Sequence, residues 1–266
     1  NDPHIGFAQP AVWYQAHVVT PNYEMYGFHL ALNPFPLLAH NRNYAYGMTM
    51  LENDDLDFYH EPQEVDFETR EEVIKVKGED DVKFTVRSGK HGPIMNDLVK
   101  TISEEEPVAM DWIYTRFENE MLQVSYEISH AKSLTDFRNG VAKIHAPGLN
   151  IMYGDAKGNI AWFGAAQLYS RAEGVHSKFI LDGADPTQDH LMLLDFEQTP
   201  QAINPSWDYV YSANNQPEEV DGRLYPGYYL PEDRAKKIVE LLEARDDFTQ
   251  SDVEEMIYNV QSSKAA

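Results

Sequence analysis

Between His40 and Tyr59 the chain passes from a turn into a short strand and then into a cluster of acids, and no other stretch restricts its folding as much. His40-Asn41-Arg42-Asn43 leads into Tyr44-Ala45-Tyr46-Gly47-Met48-Thr49-Met50, and the strand empties into Asn53-Asp54-Asp55-Leu56-Asp57. This order sets backbone N–H groups beside a cage of hard oxygen donors. The acids read in two ways, as a solvated turn or as a calcium site built from carboxylates and backbone carbonyls.

Around this stretch the first half is strand-rich, with aromatic and β-branched residues in short runs broken by Pro and Asn. Strands are expected over Val12–Thr20, Met25–Leu32, Tyr44–Leu51 and Val108–Thr115, and a hairpin over Glu72–Lys77 and Val82–Arg87 around a charged turn at Gly78-Glu79-Asp80-Asp81. Ser88-Gly89-Lys90-His91-Gly92-Pro93 reads as a loop. Ser133-Leu134-Thr135-Asp136 starts a short helix to about Lys143. Asn150–Phe163 reads as strand, tight turn, strand, with Gly158 supplying a positive φ. The tail changes period: Ala235, Ile238, Val239 and Leu242 share a helical face, and Thr249-Gln250-Ser251-Asp252 caps a second helix carrying Val253, Met256, Ile257 and Val260. Strands followed by helices give an α+β class. No linker divides the chain, so residues 1–266 read as one domain.

With 266 residues and 42% hydrophobic content, the chain is long enough for a proper core. Forty-four acids against 21 bases leave a net charge of -23, which argues against nucleic acid as a partner, since phosphate binding needs a basic face. The absence of Cys excludes disulfides, thiolate catalysis and Cys-ligated zinc. No apolar run is long enough to insert in a membrane. The chain opens at Asn1-Asp2-Pro3 without an initiator Met and reads as an excised or processed piece, so a missing signal peptide is uninformative.

Four features carry chemistry only in combination. His4, alone near the start, is an ordinary exposed or structural histidine taken singly. Asn214-Asn215 before a Pro is a turn, or an amide N–H pointed at a developing oxyanion. Arg234, at the head of the tail helix, is a surface ion-pair partner taken singly. Asp54, Asp55 and Asp57 are the acids described above.

Taken in order, Asn1-Asp2-Pro3-His4, His40-Asn41 leading to Tyr46-Gly47-Met48-Thr49, Asn53-Asp54-Asp55-Leu56-Asp57, Tyr153-Gly154-Asp155-Ala156-Lys157-Gly158-Asn159-Ile160, Ser212-Ala213-Asn214-Asn215 and Asp233-Arg234 resemble the β subunit of the penicillin acylase family, which includes the acyl-homoserine lactone acylases. These are N-terminal-nucleophile hydrolases. The resemblance implies a four-layer αββα sandwich, incomplete in this piece, and cleavage of the amide of penicillin-like or N-acyl-homoserine lactone substrates. In that family a serine at the β-subunit N-terminus attacks, with its own α-amine as base. Asn214 then matches the oxyanion-hole asparagine and Met50 the residue whose backbone N–H is the second donor. His4 would help position the nucleophile, and Arg234 would support the site from behind. Ile5 and Leu38 match acyl-pocket positions, where aliphatic walls favour an aliphatic acyl chain. Asp54, the Leu56 carbonyl and Asp57 match part of a calcium site, with Asp221 as a candidate later ligand.

One departure stands out. The first Ser is Ser88, inside a loop, so the attacking serine is expected upstream of Asn1 and this piece alone is expected to be inactive. The resemblance also implies an α subunit and the remainder of the β subunit as partners, no organic cofactor, and a periplasmic or secreted location. Exposed sheet edges in such a piece favour self-association. The alternative is a non-catalytic, calcium-stabilised binding module derived from the same fold. A carbohydrate-binding β-sandwich suits the tyrosines but leaves the ordered motifs unexplained.

Overall fold

Tyr44, Tyr46 and Met48 are buried, and the residues between them are less so, the alternation of a strand with one face on a core. The computed structural model describes residues 5–63, 65–102, 105–189, 191–219, 222 and 224–263; His4 and Asp221 lie outside the described residues. In chain order the elements are β1 (Trp13–Thr20), β2 (Tyr23–Leu30), β3 (Leu38–His40), β4 (Tyr44–Met50), β5 (Leu56–His60), β6 (Glu68–Ile74), β7 (Val82–Gly89), β8 (Gly92–Pro93), β9 (Val108–Trp112), α1 (Ile113–Arg116), α2 (Met121–Ser129), α3 (Leu134–Val141), β10 (Leu149–Asp155), β11 (Ile160–Ala165), β12 (Tyr169–Ser170), β13 (Leu181–Asp182), α4 (Pro186–Asp189), β14 (Met192–Leu193), β15 (Gln201–Ile203), α5 (Asp233–Leu242) and α6 (Gln250–Ile257). They group into two compact units that the chain visits alternately. The first takes the described residues up to Asn53, Asn119–Gln167 and those from Asp195 on; the second takes Asp54–Glu118 and Leu168–Leu194.

The first unit is built on a seven-stranded antiparallel sheet in the order β1-β2-β3-β4-β10-β11-β15. At its centre Thr49 is paired with Asn150 and Met50 with Leu149, while Met152 is paired with Trp162. One face packs Tyr44, Tyr46, Met48, Ile151 and Phe163 against Val124 and Ile128 of α2 and Phe137 and Val141 of α3. Phe137 lies 5.4 Å from the Tyr46 ring and 4.8 Å from that of Tyr153, favourable aromatic spacings. The buried tyrosine hydroxyls are satisfied by backbone: Tyr44 donates to the Ile128 carbonyl at 2.8 Å and Tyr46 to that of Pro36 at 2.7 Å. Because side chains alternate along a strand, Thr49, Asn150 and Trp162 point to the opposite face. α3 starts at Ser133, whose hydroxyl accepts the Asp136 N–H at 3.1 Å, and α6 starts with a full capping box between Thr249 and Asp252.

The second unit holds three small sheets: β13-β5-β9, β6-β7-β8 and β12-β14. His91, buried, locks part of it. Its Nδ1 meets Glu61 Oε1 and its Nε2 meets Asp189 Oδ1, both at 2.9 Å, and its ring stacks on Tyr59 at 4.0 Å.

The fold is α+β as the sequence indicates, with several local corrections. β2 stops at Leu30, and Leu32 sits at φ +69°, a left-handed value that ends a strand. The expected strand over Val108–Thr115 breaks after Trp112 into the single turn α1, where Thr115 Oγ1 bonds back to the Trp112 carbonyl at 2.9 Å, a side-chain bond that favours a turn. The expected loop at 88–93 instead continues the hairpin, with Ser88 paired to Pro93. α2 has no counterpart in the sequence reading. Gly158 has φ +88° in the β10–β11 turn, as its position requires. Among the described residues no helix is long and apolar enough to cross a membrane.

Candidate active site

At the end of β4 the sheet geometry exposes one backbone amide. Leu51 N–H donates to the Gly148 carbonyl at 2.9 Å, and hydrogen-bonded pairs alternate along an antiparallel ladder. The Met50 N–H, one residue earlier, is therefore directed away from β10. On that side β3 pairs with β4 only at Ala45 and Tyr46, so no described strand covers Met50. The approach of β10 here depends on Gly148, where a Cβ would overlap the Asn53 amide oxygen. Beyond Met50, Glu52 turns at φ +63° and its carbonyl accepts the Tyr228 N–H at 2.8 Å.

Onto Met50 comes the Ser212–Asn215 loop. Asn214 adopts φ +60°, a conformation that Asn tolerates better than most residues. Its Nδ2 donates to the Met50 carbonyl at 2.8 Å. Arg234, in the first turn of α5, donates from Nη2 to Asn214 Oδ1 at 3.0 Å and to the Ala213 carbonyl at 2.6 Å. Arg can only donate and a carbonyl can only accept, so the two contacts fix which end of the Asn214 carboxamide is nitrogen. Since Nδ2 carries two protons, one N–H remains for another acceptor. The loop is tied to the strand again where Ser212 Oγ meets Thr49 Oγ1 at 2.7 Å and accepts the Asn214 backbone N–H at 3.3 Å.

Met50, Asn214 and Arg234, singled out in the sequence far apart, thus meet within one hydrogen-bonded cluster. Leu38 is a buried part of the core, 7% exposed, and Ile5 is exposed. Sequence reasoning assigned no role to Thr49, Asn150, Trp162 or Ser212, which complete the cluster. A cavity of about 400 Å³ adjoins it, lined by Asn150, Trp162, Trp207, Tyr209, Tyr211 and Ser212 among others; Ile5 and Leu38 are not in its wall.

In the second unit, Asp57 is buried and its carboxylate is met by Arg171 Nη2 and, at 3.2 Å, by the Tyr169 hydroxyl. Burial pushes its pKa up to about 6; the neighbouring Asp54 charge adds to the rise and Arg171 opposes it. Burial also raises Asp55, with the Trp112 N–H pulling the other way. Asp54 accepts from the Ser177 hydroxyl. Asp54 Oδ1 and Asp57 Oδ1 are both buried without a hydrogen-bond partner among the described residues. Ile113 N–H bonds the Asp55 carbonyl at 3.0 Å, so the same alternation turns the Leu56 carbonyl away from β9, while β13 pairs only with Tyr59 and His60. Two orphaned carboxylate oxygens and a carbonyl turned out of the β5–β9 ladder are hard donors that suit a calcium ion. Among the described residues no set of three or more His, Cys, Asp or Glu forms a ready metal cluster.

A solved structure described as a thermostable penicillin G acylase from Alcaligenes faecalis superposes with a TM-score of 0.82 over 96% of this chain and 48% of that one, at 22% identity. The fold is therefore that of the N-terminal-nucleophile hydrolases. A family profile for penicillin amidase matches residues 1–266, and the chain belongs to that family. Its relatives include the acyl-homoserine lactone acylase QuiP of Pseudomonas aeruginosa, 25% identical over 265 residues and 91% of this chain. They also include the penicillin G acylase of Escherichia coli, 26% identical over 264 residues and 94% of this chain. The chain spans 31% of the length of each of these two relatives.

Proposed function

We propose that the Met50–Asn214 cluster is the oxyanion-stabilising part of an amide-hydrolysing site, completed in the full-length protein by a serine upstream of Asn1. The observation that carries this is the pairing of two N–H donors, the backbone amide of Met50 and the spare N–H of Asn214 Nδ2. Each belongs to a group held in place before any substrate arrives, and donors already aimed at developing negative charge need no reorganisation during reaction. The serine hydroxyl adds to the acyl carbonyl while its α-amine takes the proton. An α-amine has a pKa near ~8, well placed for this at neutral pH. The amine leaves with that proton, and water then releases the acid from the acyl-serine. His4 is assigned the positioning of the serine, and Arg234 the orientation of Asn214. On this reading the present chain alone is inactive and works with an α subunit and the rest of the β subunit.

The substrate class is an acyl amide of the penicillin or N-acyl-homoserine lactone kind, as the names of the relatives indicate. An aliphatic acyl chain is proposed on the resemblance alone, in which Ile5 and Leu38 stand at acyl-pocket positions, since neither lines the cavity beside the cluster; each methylene in such a pocket changes selectivity by only ~1–3 kcal/mol. Calcium is proposed as a structural ion held by Asp54, Asp57 and the Leu56 carbonyl, where it would neutralise the buried carboxylates. A periplasmic or secreted location belongs to the same proposal. The test is hydrolysis of phenylacetyl, octanoyl and decanoyl chromogenic amides by the full-length, processed protein. Turnover that depends on the upstream serine and on Asn214 supports the reading, and no turnover from correctly processed protein rejects it.

A further inference from the structure

We infer that Asn150 is a positioning residue for this site, setting the Met50 backbone through a carboxamide whose own orientation is imposed by Trp162; the inference rests on the proposed oxyanion role of Met50. Asn150 is 2% exposed and sits on β10 directly opposite Thr49. Its Nδ2 makes two donations that bracket the Met50 N–H, one to Thr49 Oγ1 at 3.1 Å and one to the Met50 carbonyl at 3.0 Å. Its Oδ1 accepts the Trp162 indole N–H at 2.9 Å. An indole nitrogen only donates, so Trp162 dictates that the Asn150 nitrogen, not the oxygen, faces Met50.

The Met50 carbonyl has two lone pairs, and two carboxamides use them: Asn150 from inside the sheet and Asn214 from the loop. The peptide that begins with this carbonyl ends with the Leu51 N–H, which is bonded to Gly148. That peptide unit is thus held at both ends, and the preceding one is fixed through the Thr49 side chain. A buried carboxamide with all these partners is costly to disturb, because each lost bond leaves a desolvated group behind. Its effect on chemistry is indirect. Asn150 bonds the Met50 carbonyl and Thr49 and not the Met50 N–H itself, but a shift of that amide by about 1 Å is enough to cost roughly 10²-fold in rate.

The test uses the full-length, processed protein with Asn150→Ala, Asn150→Asp and Trp162→Phe. The last keeps an aromatic ring and deletes the indole donor together with part of the ring's volume, so it serves if the Asn150 variants do not fold. The expected result is a fall in kcat of about 10²-fold for the Asn150 variants with KM little changed, since the contact acts on the transition-state donor and not on substrate binding. Trp162→Phe should give a smaller fall that disappears in the Asn150→Ala background, because Trp162 acts through Asn150. Amide hydrogen exchange gives a readout independent of catalysis: Leu51 should exchange roughly tenfold faster in Asn150→Ala and in Trp162→Phe. Unchanged Leu51 exchange overturns the inference whatever the activity, as does a loss confined to KM or additive effects of the two sites. A wild-type protein that hydrolyses no amide, with Leu51 exchange still raised in the variants, would reject the acylase reading and leave the hold on Met50 standing.

Discussion

On the proposed reading Met50 serves the site through its backbone, and its side chain is well exposed to solvent. Met50→Leu should therefore leave kcat and KM of the full-length protein nearly unchanged, whereas Asn214→Asp should lower kcat by about 10²–10³-fold, the cost of removing one oxyanion donor. Asp keeps the size of Asn and its partnership with Arg234 but cannot donate, so steady-state kinetics on one amide substrate separate the two outcomes. Sequence reasoning singled out Met50, Asn214 and Arg234 because each sits in a local motif and the motifs follow one another in the family's order; the hydrogen bonds that join the three are visible only in the structure. It gave no role to Asn150 and Trp162 because their meaning depends on register. Asn150 faces Thr49 and reaches Trp162 only once β4, β10 and β11 are aligned, and no short window of sequence states that alignment.

At the scale of elements, caps and periodicity were legible where the chemistry is local. Ser133 and Thr249 both receive the backbone N–H of the residue three ahead, as their capping patterns indicate. Ser133→Ala should cost ~1 kcal/mol in the thermal unfolding of the full-length protein. The core contact of the same helix weighs more. Phe137 is fully buried among Tyr46, Tyr153 and their neighbours, and Phe137→Ala should cost roughly 3–5 kcal/mol. An equal, small effect of the two substitutions would contradict the packing described for α3. α2 escaped notice although Val124 and Ile128 lie one helical turn apart, because no Ser, Thr or Asp side chain caps its first residue; the Asn119 carboxamide oxygen instead accepts the Met121 N–H at 2.9 Å. α1 was hidden for a different reason. Its Ile113 and Thr115 are β-branched and favour a strand, and the bonds of Thr115 and Arg116 back to Trp112 and Asp111 support the helical turn instead.

For the whole molecule, the acids after β4 and the amides at its end lie in different units, so the proposed calcium and the proposed catalysis can be tested apart. Chelation should lower the unfolding temperature of the full-length protein. If the proposed calcium binds, an ion present 100-fold above its Kd would stabilise by about 2.7 kcal/mol, and Asp57→Asn should abolish the difference between chelated and calcium-loaded samples. A chelator-insensitive wild type would remove calcium from the account. The central claim is that the Met50–Asn214 cluster serves amide hydrolysis, and the most direct measurement is turnover of octanoyl and phenylacetyl chromogenic amides by the processed, full-length protein beside its Asn214→Asp variant. The account predicts hydrolysis by the wild type and a loss of about 10²-fold or more in the variant; equal turnover by the two, or none by the correctly processed wild type, would contradict it.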